Sequence, residues 1–106
     1  MNDDEIPTAA YQPWRPMTNP QDLKTLGKFG EELGECQAAA MRCLIQGIDE
    51  KEPKTGKVNK HWLEDEIADV FVNLLLVVER FNLDETRMGK RMEAKEFLLR
   101  EWHKSA

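Results

Sequence analysis

Apolar residues recur at helical spacing in two stretches of the chain and, more thinly, in a third. In the first stretch, Leu26, Phe29, Leu33, Cys36, Ala40 and Leu44 form one stripe. Thr18-Asn19-Pro20-Gln21-Asp22 opens it. Asn19 can cap, Pro20 fits the first helical position, and Asp22 favours the positive end of the helix dipole. The spacing predicts a first helix running from there to about Gln46, where Gly47 ends it. Gly34 within it costs about 1 kcal/mol relative to Ala, a cost that close approach of another helix or a ligand would explain.

A second helix is predicted from Asn59 or Lys60 to about Phe81. Ile67, Val70, Phe71, Leu74, Val77, Val78 and Phe81 cover a broad apolar side, and Ala68, Val72, Leu75 and Leu76 cover most of the rest. Beyond the first turn, one narrow stripe is polar: Glu66, Asp69, Asn73 and Arg80. A helix apolar almost all round is expected to be buried. Glu64 and Asp65 are read as first-turn acids that favour the dipole. Asp84 is the expected cap of a third helix reaching about His103, with a thinner apolar face of Met88, Met92, Leu99 and Trp102. The expected fold class is all-α, an antiparallel bundle of about three main helices per chain. One neighbouring helix covers only one face of the second. Completion by oligomerisation is therefore expected, as a homodimer or homotetramer.

The segments outside these helices are polar or broken. Residues 1–17 are acidic and then proline-rich, and Pro7, Pro13 and Pro16 prevent a regular helix. This reads as an extended arm whose Tyr11 and Trp14 pack on the body or a neighbouring subunit, or as a partly ordered tail. Residues 18–106 then form the helical domain. The loop Gly47–Lys60 carries Lys51, Lys54, Lys57 and Lys60. It reads as a solvated face, or else as one that folds a lysine or two over a bound phosphate.

Composition narrows the class. A chain of 106 residues makes one domain with a small core. A net charge of −5 argues against nucleic acid as a partner. Cys36 and Cys43 lie two turns apart on one helix, roughly 10 Å, too far for a disulfide, and read as small core residues in a reducing compartment. Met1–Ala10 has no apolar run, and Val70–Val78 is interrupted by Asn73 and too short to span a bilayer. A cytoplasmic location with no membrane partner is expected.

The chemistry lies in two carboxylate pairs. Glu32 with Glu35, and Glu66 with Asp69, are each spaced three residues apart, so each pair shares a helix face. Gathered acids repel one another, and a cation is the natural reason to bring them together. Four carboxylates without His or thiolate suit a hard ion, Mg²⁺ with Mn²⁺ as the alternative. The plainer reading leaves Glu32 and Glu35 solvated, with Glu66 and Asp69 paired to lysine or arginine. A di-iron bundle wants Glu-x-x-His, and neither His61 nor His103 follows a glutamate at that spacing.

Glu31-Glu32-Leu33-Gly34-Glu35 followed by Glu66-Ile67-Ala68-Asp69 resembles the EExxE…ExxD signature of the MazG-like all-α nucleoside triphosphate pyrophosphohydrolases. The likeness covers about Leu23 to Lys95. It implies an enzyme that hydrolyses a nucleoside triphosphate to the monophosphate and pyrophosphate, with Mg²⁺ as cofactor. By the same resemblance Glu32, Glu35, Glu66 and Asp69 would be the metal ligands, and Glu31 the flanking acid that orients a ligand or a water. Asn73 would contact substrate, and Arg91 and Lys95 would fall among the basic residues near the triphosphate. Where the family often has an Asn among those residues, this chain has Glu93 and Ala94. Trp62 is a candidate for stacking on the base, with a core aromatic as the alternative. The rival from another class is a non-catalytic oligomeric helical interaction module.

Overall fold

In a computed structural model, which describes residues 13–105, the chain forms three helices: α1 (Pro20–Gln46), α2 (Asn59–Phe81) and α3 (Glu85–Lys104). No strand occurs among the described residues, only an isolated bridge between Lys51 and Val58 in the loop. Tyr11 and most of the N-terminal arm lie outside the described residues. Within them, Trp14 is 87% exposed and does not pack on the body.

The helix ends are set by local chemistry. The Asn19 side chain accepts from the Gln21 and Asp22 amides at 2.9 and 3.2 Å, with Pro20 in the first turn. At the other end Gly47 takes φ +108° and its N–H donates to the Cys43 carbonyl at 2.9 Å. A side chain there would be strained and would also meet Glu50 Cγ at 2.9 Å. Over Gly34, by contrast, no atom among the described residues lies within 4 Å of where a Cβ would stand. Asp84 caps α3 by accepting from the Arg87 amide at 3.0 Å. The start of α2 has no side-chain cap. Its first residue, Asn59, is fully buried and reaches back instead, its amide donating to the Gly47 carbonyl at 2.9 Å and to Gln46 Oε1 at 3.2 Å. Cys43 Sγ lies 3.6 Å from the Asn59 carbonyl and donates to it. Because α2 begins at Asn59, Glu64 and Asp65 fall beyond its first turn, and Asp65 pairs with Lys57 instead.

These contacts tie the end of α1 to the start of α2. At the far end Arg80 holds Asp22 at 2.8 Å and Asn19 at 3.1 Å. The two helices are therefore an antiparallel hairpin, latched at both ends.

The hairpin's inner face keeps Phe29, Cys36 and Ala40 of the predicted stripe and loses its leucines. On α1 the residues turned inward are Phe29, Glu32, Cys36, Ala39, Ala40 and Cys43, while Leu33, Leu44 and Ile45 face out. Small residues at the contact let the helix backbones approach closely, and the large leucines do not fit there. On α2 the inward line is Leu63, Glu66, Val70, Asn73, Leu74, Val77 and Phe81. The polar stripe thus partly faces α1. Much of the apolar surface, including Phe71 at 61% and Leu75 at 62% exposure, faces out.

Helix α3 packs along neither of the others, and none of its residues is buried. The radius of gyration is 19.8 Å, against about 13 Å for a compact chain of this length. Met92, Leu99 and Trp102 consequently lie open. No helix among the described residues is long and apolar enough to cross a membrane.

Candidate metal centre

The inward placement of Glu32 on α1 and Glu66 on α2 brings their carboxylates together across the hairpin. Glu35 joins them from one turn along α1. One oxygen from each of the three lies within 4.8 Å of the others. Glu32 is 6% exposed, Glu66 half-buried and Glu35 exposed. The cluster therefore runs from the helix interface out to solvent.

Its electrostatics are strained. Glu35 holds its proton above the ordinary carboxylate range, chiefly because of the Glu32 charge and then through desolvation and the charges of Glu66 and Glu31. Glu32 Oε1 is met by Lys28 Nζ at 3.1 Å, and the same ammonium reaches Glu31 at 3.4 Å. Those contacts raise the Lys28 pKa, the hydrogen bond it donates to Glu32 most of all. Glu32 Oε2 and Glu66 Oε2 are buried without any hydrogen-bond partner. A buried carboxylate oxygen left unpaired is costly. A hard divalent ion taking three carboxylate oxygens would satisfy both orphans, so the donor set fits Mg²⁺ or Mn²⁺.

The other predicted site residues sit apart from this cluster. Asp69 is exposed one turn beyond Glu66 and is not among the clustered carboxylates. Glu66 is turned toward α1 and half-buried, whereas Asp69 is exposed. Glu31 is exposed at the rim beside Lys28. Asn73 is half-buried on the inner face and donates its side-chain amide to the Asp69 carbonyl at 2.8 Å. Trp62 is half-buried, with Lys57 Nζ 4.3 Å and the Arg42 guanidinium 5.4 Å from its ring centroid. A stacked base would have to displace such a cation. Its Nε1 is buried and has no partner. Arg91 lines an open groove with Leu83, Asp84, Arg87, Met88 and Met92, and Lys95 lies a turn further along α3. Neither pairs with a carboxylate of the cluster, and Lys57 in the loop and Lys60 at the start of α2 are paired to Asp65 and Asp49.

Sequence reasoning missed Lys28. Its signal was present, a lysine four residues before Glu32, but such pairs are common on solvated helices. No family model, curated protein or solved structure matches the chain.

Proposed function

We propose that this chain is a Mg²⁺-dependent nucleoside triphosphate pyrophosphohydrolase of the MazG-like kind, acting as a homo-oligomer. One observation carries the reading: two helices converge on three carboxylates, two of whose buried oxygens lack any partner. The resemblance of Glu31–Glu35 and Glu66–Asp69 to the family signature supplies the reaction class.

Glu32, Glu35 and Glu66 would hold the ion, and by the family resemblance Asp69, one turn along α2, would be a fourth ligand. When bound, Mg²⁺ acidifies water and offsets charge that builds on the phosphates. Glu31, exposed at the rim, orients the attacking water toward phosphorus. Burial of Glu32 keeps bulk water from one side of the site and fixes that carboxylate before substrate arrives. The products are nucleoside monophosphate and pyrophosphate.

Assembly belongs to the same reading. The hairpin turns Glu32 and Glu66 inward and many of its large apolar residues outward, and α3 offers a further open apolar face. A second copy of this chain covers such surfaces, and Arg91 and Lys95 meet the phosphates within that assembly.

The test is Mg²⁺-dependent release of pyrophosphate from a panel of ribo- and deoxynucleoside triphosphates. Turnover that is lost on chelation and in Glu66→Gln supports the enzyme. A folded oligomer that turns over no member of the panel, with either ion, supports a non-catalytic interaction module instead. The open apolar faces of α2 and α3 favour that second reading.

A further inference from the structure

Lys28 is the only cation that pairs with the carboxylate cluster among the described residues. It stands one turn before Glu32 on α1, with its side chain 52% exposed and its ammonium on Glu32 Oε1. The other oxygen of that carboxylate, Oε2, is buried and unpartnered, and the Glu32 side chain is only 8% exposed. One oxygen of this carboxylate is thus held by a lysine, and the other is left free in the interior. Among the described residues, Glu35 and Glu66 have no lysine or arginine of their own.

We propose that Lys28 is the resident counter-charge of the cluster: it holds Glu32 in the cation-free state and passes to the triphosphate when ion and nucleotide bind. The proposal rests on the functional reading above. An ammonium beside a divalent ion is repelled by it, and Glu32, once it ligates, attracts Lys28 less. The flexible four-carbon stem, whose ammonium already reaches Glu31 at 3.4 Å, can then carry that charge to the phosphate chain; its rotatable donors suit phosphate. Lys28 accordingly opposes binding of the free ion and favours binding of the polyphosphate. That opposition of sign separates it from an ordinary i,i+4 pair on a helix surface.

The experiment uses the full chain and isothermal titration. Mn²⁺ alone is the first probe, and inorganic tripolyphosphate at saturating Mn²⁺ is the second. Lys28→Met should bind Mn²⁺ roughly tenfold more tightly, the size expected from a unit charge about 5 Å from a divalent ion in water. The same variant should bind tripolyphosphate roughly tenfold more weakly, through loss of a charge-assisted contact. Lys28→Arg keeps the charge and should leave both affinities within about threefold of wild type. Shifts in the same direction, or no shift in either, overturn the proposal, as does Lys28→Arg behaving like Lys28→Met. If the wild type binds Mn²⁺, Glu66→Gln abolishes that binding and Lys28→Met leaves it unchanged, only the role of Lys28 falls. If the wild type binds no Mn²⁺, the metal centre falls with it.

Discussion

The α1–α2 hairpin and helix α3 are nearly equal in helical regularity and opposite in how they are held. The hairpin is latched at one end by buried Asn59 and at the other by Arg80 on Asp22 and Asn19. Helix α3 has its cap at Asp84 and side-chain pairs such as Arg100 on Glu96, yet none of its residues is buried and only Met88 and Gly89 are half-buried. Local signals suffice to make a helix, but only tertiary contacts place it. The acids follow the same division. Those on the latched elements converge, whereas Arg91 and Lys95 on α3 meet none of them.

The largest effect should come from the hairpin's interior. Glu66→Gln keeps the shape but removes a charge and a ligand, so hydrolysis should fall at least about a hundredfold. Asp69→Asn, outside the cluster, should cost about tenfold or less in the same pyrophosphate assay. Equal losses would draw Asp69 into the centre and widen it beyond the three glutamates.

Stability should divide along the same line. Asn59→Ala strips the Gly47 carbonyl of a buried donor, and urea midpoints should report a loss of about 1–3 kcal/mol. Arg100→Ala on α3 removes an exposed pair and should stay within about 0.5 kcal/mol. A cost on α3 as large as that at Asn59 would mean α3 is packed in solution, against a second copy.

That packing is itself testable. Leu75 faces outward on α2, and Leu75→Lys should weaken self-association about tenfold by light scattering, with helix content kept. A wild-type chain that is monomeric at micromolar concentration would leave the outward apolar face without a purpose.

How much of this was legible beforehand depends on the range of the interaction. Asn19, Pro20, Gly47 and Asp84 announce helix ends because caps act within a turn or two. Glu32, Glu35 and Glu66 were legible because helical spacing converts sequence distance into a shared face. The direction of that face was not. The stripe Leu26, Phe29, Leu33, Cys36, Ala40 and Leu44 holds at Phe29, Cys36 and Ala40, but the contact with α2 also takes in Ala39 and Cys43 and leaves Leu33 and Leu44 outside. The buried role of Asn59 was equally hidden, since only the returning hairpin covers it. Nothing local marks α3 as the helix left unpacked.

The smallest predicted effects are pH-dependent and opposite in sign. Glu35 has a raised pKa in the folded chain, first through the Glu32 charge. Its ionised form therefore destabilises the fold, a penalty relieved as pH falls through the folded-state value. Glu52 has a lowered pKa, first through the Lys54 amide and then through Thr55. It contributes stability above its unfolded value, and this is lost as pH falls through the lower folded one. In metal-free protein at pH 7, Glu35→Gln should raise the melting temperature and Glu52→Gln should lower it. Both differences should shrink as pH approaches about 4. Matching signs for the two would contradict the cluster's internal repulsion.

The most direct test of the metal centre is thermal melting with and without millimolar Mg²⁺ or Mn²⁺, on wild type and Glu66→Gln in parallel. A ligand that binds only the folded state should raise the wild-type midpoint by about 5 °C or more at saturation. Glu66→Gln should melt at or above the wild-type temperature without metal and gain little from either ion. No shift in the wild type with either ion, or the same shift in both proteins, would contradict the claim that Glu32, Glu35 and Glu66 form a divalent-cation site.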